Sequence, residues 1–498
     1  MPRFPICRYG VLLFLIFSPL FFLCPQPAFC LDSIRTERSL EAENKKDDAL
    51  SNDETWEEEW EENDESSDDT EGLWAEGEDP RERDKNEGLF KLSGEVRNKF
   101  AHDVSEDNNS EDDMMNHARL RVGASLVHGD RLRAALFANI NYFSYGNDGD
   151  WEEDADIRLD DAYLNFRGDG FNLKLGNQVI RWGKTDAYSP LDNLNPEDLR
   201  EDLSGRREDR KLPIPMAGLE IYAGKFTISG VFIPFFVKSE YDLIGTDWAL
   251  LGHADEITLK EESSSDSLKN SEGGIRLSGI AGRLDWAFSW LYAREDLPTP
   301  DSLYLPVGFP FSAGNVTTSQ LADFLNATGQ SVMLTHDRQN IFGFEFETTL
   351  HSFGVRGDLA YIDHASYFTR DLQRIRKPVV QLMTGIDYSG VNDWYANIQL
   401  FISRIQDYES RIIWATETTR AINGTLWKEF FNGDFRMECR YYYELSGDAT
   451  VLNPKLRLSF WNPIIFEIGG EWFDGSNETI PGRYKYNDQV YLTAEIKF

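Results

Sequence analysis

Asp198, Asp202, Arg206 and Arg210 run at four-residue spacing, with Arg207 beside the third of them. Residues 200 to 211 hold five bases against four acids. Charges of alternating sign at this spacing pair along one helix face, or act on ions that pass close by with little screening water. Asn195 reads as the cap of such a helix. Pro196 would take its first position, and Glu197 and Asp198 its first turn, where the helix dipole favours acid. Two readings stay open: a self-paired helix face with no partner, and a polar constriction across an aqueous path.

Enzyme chemistry finds little support. The sequence has no Gly-x-Ser-x-Gly elbow, no His-Glu-x-x-His pair and no phosphate-binding loop. Its seven His, from His102 to His364, lack ligand spacing, so neither a metal nor a cofactor is expected. A Ser/His pair on a barrel wall would escape this test, because spacing does not reveal it.

Composition narrows the setting. The chain has 498 residues, with Lys+Arg 50 against Asp+Glu 86 and a formal net charge of −36. That balance repels phosphates, so nucleic acid is not an expected partner, and it favours cations. The 13 Trp, 20 Tyr and 33 Phe are too many for a chain that never buries them. Only one apolar run approaches the length of a membrane-spanning helix, and it lies at the N-terminus.

That run, Val11 to Leu23, follows Arg3 and Arg8 and precedes a small-residue exit near Ala28 to Cys30. Residues 1–30 therefore read as a secretory signal peptide. Cleavage there leaves Cys439 as the mature chain's one thiol, which excludes a disulfide framework. Residues 31–90 carry 24 acids and 7 bases and read as a disordered periplasmic linker. Trp56 and Trp60 within it would share a face if the segment became helical against a basic periplasmic partner. Residues 91–498 keep a net charge of −21.

From Leu92 onward apolar residues fall two apart, the period of strands. In the last such run Val490, Leu492, Ala494, Ile496 and Phe498 share one face, opposite Tyr491, Thr493, Glu495 and Lys497. A soluble sandwich with its apolar face inward competes with a membrane barrel whose apolar face is outward. Connection lengths favour the barrel. Short links near residues 128–130, 168–170, 223–225, 282–283, 351–353, 389–391, 432–434 and 461–463 alternate with long ones. The long ones include 102–113, 145–155, 183–213, 239–271, 295–339, 365–377 and 474–487. The expected fold is an all-β, antiparallel up-and-down transmembrane barrel of about 18 strands, with 14 or 16 as alternatives.

On such a barrel the polar positions Arg119, Arg121, Arg133, Glu345, Glu347, Glu467 and Glu471 face the lumen. They could set up a transverse field, or form cross-strand ion pairs with no role toward solutes. Trp286, Phe288, Trp290 and Tyr292 make an aromatic stripe expected to face lipid.

The terminal strand ending in Phe498 resembles the C-terminal signature of Gram-negative outer-membrane proteins, which implies that Phe498 serves as the signal to the barrel assembly machinery. The stretch Gly176-Asn-Gln-Val-Ile-Arg-Trp-Gly183-Lys-Thr-Asp186, followed by Asn195-Pro-Glu-Asp198, is similar to an uncharacterised family of proteobacterial porin-like barrels. Residues 183–213 form the third long loop, which in general porins folds into the lumen and narrows it. The resemblance implies a cell outer-membrane location and contact with outer-membrane lipid; a barrel of about 18 strands is wide enough for passive diffusion of small hydrophilic solutes or ions, and the net charge of −21 over residues 91–498 favours cations. The alternatives are a transporter or exporter of hydrophobic or polymeric substrates, and a non-conducting adhesin or scaffold displaying loops 239–271 and 295–339.

Overall fold

The computed structural model describes residues 89–105, 113–146, 151–186, 188–200, 210–242, 248–249, 258–262, 267–303, 323, 325–390, 393–476 and 479–498. The signal peptide, almost all of the acidic linker, and Asp202, Arg206 and Arg207 lie outside them.

The period-two pattern forms strands throughout. In chain order they are β1 Leu89–Asp103, β2 Met114–His128, β3 Leu132–Gly146, β4 Trp151–Arg167, β5 Phe171–Gln178 and β6 Ile214–Ala223. Next come β7 Phe226–Ile233, β8 Glu272–Ala281, β9 Leu284–Arg294, β10 Arg338–Leu350, β11 Phe353–Phe368 and β12 Arg374–Gly390. The last are β13 Trp394–Ile405, β14 Thr418–Phe430, β15 Phe435–Glu444, β16 Ala449–Trp461, β17 Ile464–Asp474 and β18 Gln489–Lys497. Each pairs antiparallel with its neighbour in sequence, and β1 pairs with β18 as well as β2. The 18-stranded sheet is thus closed, and no strand edge is left to find a partner.

The two faces differ as the alternation requires. Leu92, Leu136, Ile157, Phe288, Ile398 and Ile468, spread around the ring, are exposed on its outside, and Ile157 reaches 77%. A continuous apolar band of this kind is a lipid-facing surface. The aromatic stripe belongs to it: Phe288, Trp290 and Tyr292 are exposed, whereas Ala287, Leu291 and Ala293 on the other face of β9 are buried.

Short turns gather at one rim of the barrel and long connections at the other. Two connections are shorter than their sequence suggests, since the strands extend through residues 145–146 and 151–155 and through 365–368 and 374–377. Past the apolar band the ladder runs on in water, where hydrogen bonds persist without apolar alternation. Connections 406–417 and 445–448 complete the long-loop rim. A small three-stranded sheet links two long connections, with Leu259–Glu261 parallel to Val332–Thr335 and Thr299–Pro300 antiparallel to it.

A bulge on β4 bears on the interior. Leu136 pairs with Ala162 and Ala138 with Leu159, so Asp160 and Asp161 together oppose one residue of β3. That places two consecutive carboxylates within reach of one inward arginine.

Candidate functional site

The inner wall carries charge in pairs. Arg121 forks to both bulge carboxylates, Asp160 and Asp161, the latter at 2.8 Å, with its guanidinium 4.3 Å from the centre of the Phe137 ring. Arg119 binds Glu95 across the β1–β2 ladder at 2.5 Å. Glu345 accepts from Arg276, and Glu347 pairs with Lys184 at 3.0 Å and Arg356 at 3.6 Å. Glu467 lies 3.7 Å from Lys455. Glu471, fully buried, accepts from Asn453 at 3.1 Å and Gln489 at 2.6 Å. Arg133 shares the inward face of β3 and is exposed. Acids and bases are interleaved strand by strand.

Connection 179–213 enters the interior. Its Trp182, Leu191 and Leu194 are buried against inward apolar residues of the wall, among them Ile214, Met216, Ile233, Leu291 and Ile341. The approach is close: a Cβ at Gly343 on β10 would lie 2.5 Å from the Leu191 side chain. Apolar side chains on the inner face, which would be a liability in an open aqueous bore, are covered by the loop they attract.

Two buried carboxylates seize the loop where it turns. Gly183 has φ +98, and a Cβ there would come within 2.0 Å of Ser189 Oγ, so the Trp-Gly pair needs its glycine. Glu345 accepts the Gly183 N–H at 2.9 Å, while Asp358 on β11 accepts the N–H groups of Lys184 and Thr185 and the Thr185 hydroxyl. Glu345 and Asp358 are each 1% exposed. Three successive backbone donors thus end on side-chain carboxyl oxygens of the wall. Asp186 follows, held by Arg356 at 2.6 Å, Asn397 at 2.7 Å and Gln399 at 3.2 Å. Arg356 also reaches Asp387 at 2.7 Å.

The base of the loop is tied by Asn195, and this departs from the helix expected there. Its amide nitrogen donates to the carbonyls of Gln178 at 3.0 Å and Leu212 at 2.9 Å, and its oxygen accepts from Ile180 N–H at 2.9 Å. With all three groups committed to backbone on either side, the side chain is unavailable as a helix cap. Residues 196–198 instead run extended against 210–212: Asp198 N–H donates to Arg210 carbonyl at 2.8 Å, and Leu212 N–H to Pro196 carbonyl at 2.9 Å. Lys211, buried, donates to the carbonyls of Asp192 and Asn195 and pairs with Glu197 at 3.2 Å.

Asp198 is therefore not the first member of a helical stripe. It binds Arg200 at 2.7 Å and Arg158 of β4 at 2.9 Å. Burial pushes its carboxyl up, but the two guanidiniums outweigh that and hold it below the usual range. Arg200 also reaches Asp156 of β4 at 3.3 Å and lies over the ring of Phe143 on β3. Arg210 sits 3.5 Å from Glu197. The loop consequently touches β10 to β13 through residues 183–186 and β3 to β4 through residues 198–200, two arcs that face each other across the ring.

Sequence reading picks out Glu345, Glu347 and Asp198 but not Arg356, Asp358, Asn397, Gln399 or Lys211. Each of those on the wall occupies an inward position of its strand, which is the one signal that could have raised it.

Residues 91–459 match a family described as "Protein of unknown function (DUF1302)". No curated protein matches. Among solved structures the chain is similar to OccAB1 of Acinetobacter baumannii, with 8% identity, 82% of this chain and 96% of that chain covered, and a TM-score of 0.47. It is similar to OccK5 (OpdH) of Pseudomonas aeruginosa, with 10% identity, 82% and 98% covered, and a TM-score of 0.43. OmpF of Salmonella typhi in complex with daunomycin gives 8% identity, 82% and 97% covered, and a TM-score of 0.42.

Proposed function

The chain belongs to the DUF1302 family of proteins of unknown function, and from the build of its wall and inward loop we propose that it is an outer-membrane channel for passive diffusion of small hydrophilic solutes. One observation carries this reading: a closed 18-stranded barrel, apolar outside and charged within, whose third long connection is anchored on opposite arcs of the inner wall. A ring of this size is too wide for wall side chains alone to fill, and a loop across it divides an aqueous path.

In this reading Asp198, Asp202, Arg206, Arg207 and Arg210 act on passing ions from the loop. Arg119, Arg121, Arg133, Glu345, Glu347, Glu467 and Glu471 furnish the polar wall, and the net charge of −21 over residues 91–498 favours cations. Phe498 is the mark recognised by the assembly machinery. The reaction class is transport without chemistry.

Planar-bilayer recording tests the proposal. Purified protein is expected to give ohmic steps whose reversal potential in a salt gradient has the sign of cation preference. A bilayer that stays silent through repeated insertions sinks the channel, and an anion-selective current sinks the charge argument alone. Fractionation provides the location: heat-modifiable protein in the outer membrane is expected, and soluble protein released with the periplasm would contradict it.

A further inference from the structure

The outer face of β8 to β10 carries an aromatic stripe that ends in positive charge. Phe288, Trp290 and Tyr292 of β9 and Phe342 of β10 are exposed there. At the long-loop end of the same two strands Arg294 and Arg338 stand opposite each other in register. The Arg338 guanidinium lies 4.9 Å from the centre of the Tyr292 ring, which puts it outside the wall at the edge of the apolar band. The Trp290 indole N–H donates to Asn340 Oδ1 at 3.1 Å, the habit of a ring with one end in hydrocarbon and the other in polar surroundings.

A short turn, Leu268–Asn270, is fastened to this edge. Arg338 donates to the carbonyls of Ser271 at 3.0 Å and Lys269 at 2.5 Å. Arg294 donates to the His336 carbonyl at 2.5 Å and the Asn270 side chain at 2.9 Å. All of these acceptors are neutral. Leu268, on the turn, is 66% exposed, and Lys269 beside it is exposed as well. Among the described residues no carboxylate forms an ion pair with Arg294, Arg338 or Lys269. Elsewhere on the rim the bases do have acids: Arg404 pairs with Glu417 at 3.5 Å, Arg376 with Asp337 at 2.6 Å and Arg411 with Glu409 at 2.7 Å. The acids close to the turn are engaged otherwise. Glu272 is buried and accepts the Arg294 backbone N–H at 2.6 Å, and Asp363 accepts the Asn340 backbone and side-chain N–H groups, both at 2.7 Å.

Three bases without acids, in a region of net charge −21, attract an anion from outside the chain. The apolar stripe beneath them selects an anion that carries hydrocarbon. We propose that the outer face of β8 to β10 seats an anionic, phosphate-bearing lipid of the leaflet on the long-loop side. Its phosphates meet Arg338 and Lys269, with the charge of Arg294 behind them, and its acyl chains lie along Trp290, Phe288 and Phe342. The seat rests on the outer-membrane placement in the reading above and not on conduction.

The test titrates folded full-length barrel, in a neutral detergent, with lipid A, a disaccharide that carries phosphates and several acyl chains, and counts bound lipid by native mass spectrometry. Lys269→Gln removes a charge without touching the bonds that hold the turn. Together with Arg338→Gln it is expected to weaken retention about tenfold or more, whereas Arg404→Gln stays at the wild-type level. Heat-modifiable migration checks that each barrel is folded. Equal retention by wild type and the double variant overturns the seat, and so does equal retention of lipid A stripped of its phosphates. Release of lipid A by millimolar inorganic phosphate would assign the cations to a free anion instead. Soluble periplasmic protein removes the placement and the seat together. An outer-membrane barrel that conducts but does not distinguish the lipids loses the seat and keeps the channel, and one that retains lipid A in a silent bilayer does the reverse.

Discussion

Gly94 and Phe498 exchange both of their backbone hydrogen bonds, at 2.8 and 2.9 Å, and a Cβ on Gly94 would come within 2.6 Å of the Phe498 ring. The last residue of the chain thus finishes the seam between β18 and β1, with its ring laid over a glycine. Removing Phe498, or replacing Gly94 by Val so that the ring is displaced, should lower the amount of heat-modifiable barrel in the outer membrane. Normal levels of folded protein in both variants would show that the rest of the β1–β18 ladder suffices.

Asn195→Ala strips three buried backbone groups of their partner at the base of the inward loop. Each group left unsatisfied costs about 1–3 kcal/mol, although water that enters the space recovers part of it. The loss should be local, with amide exchange at Ile180 rising about tenfold or more while the barrel ladder stays protected. Exchange at Ile180 matching that of wild type would show that Lys211 holds the base without it.

Arg356 puts one positive charge between Asp186, Asp387 and Glu347 on the wall. Arg356→Ala removes that charge from beside Asp186 and Asp387, while Glu347 keeps Lys184, so the reversal potential should move further toward cations, with a larger shift at low ionic strength. A reversal potential that does not move would mean that ions never pass this arc.

Replacing Arg206, Arg207 and Arg210 together by Ala should raise cation preference, and deleting residues 192–209 should widen the passage and increase single-channel conductance. Arg210 already lies beside Glu197, so its share of the change should be the smaller one. Conductance and selectivity that both remain at wild-type values would withdraw these three arginines from the path.

Asp488, just ahead of β18, accepts from Phe473 N–H at 2.7 Å. Burial, more than the backbone donor opposes it, pushes its carboxyl up to about 6, with Asp103 and Asp474 adding to the rise. The native state therefore holds a proton here that the unfolded chain releases near pH 4. Its favourable contribution is complete below that and is lost as pH climbs through about 6. Thermal unfolding of the region around connection 475–488 should occur at lower temperature at pH 7.5 than at pH 5, and Asp488→Asn should flatten the dependence. A slope retained in Asp488→Asn would assign it to another group.

The strands were legible because a barrel wall imposes its period on every residue it crosses. Leu492 and Ile468 face lipid, Glu467 and Thr493 do not, and this alternation needs no tertiary knowledge. Ends were less legible, as at Trp151–Asp156, where the ladder continues in water and the apolar signal has stopped. The loop shows the limit more sharply. Asn195-Pro196-Glu197 has the local chemistry of a helix start, but tertiary partners claim the Asn side chain before the helix can use it. Asp358 is more hidden still: an inward acid on β11 looks like any other polar wall residue, and only the chain 173 residues earlier explains its burial.

The pins of the inward loop have a consequence for the order of events. Gly183 and Glu345 are 162 residues apart, and Asp186 and Asn397 are 211 apart. Contacts of such span close the largest loops of chain, and they form slowly. Residues 183–186 reach their partners only when β10 to β13 stand in the same sheet as β5 and β6, so the loop cannot seat before both halves of the wall are joined. The passage is therefore narrowed only in a barrel whose two halves have met.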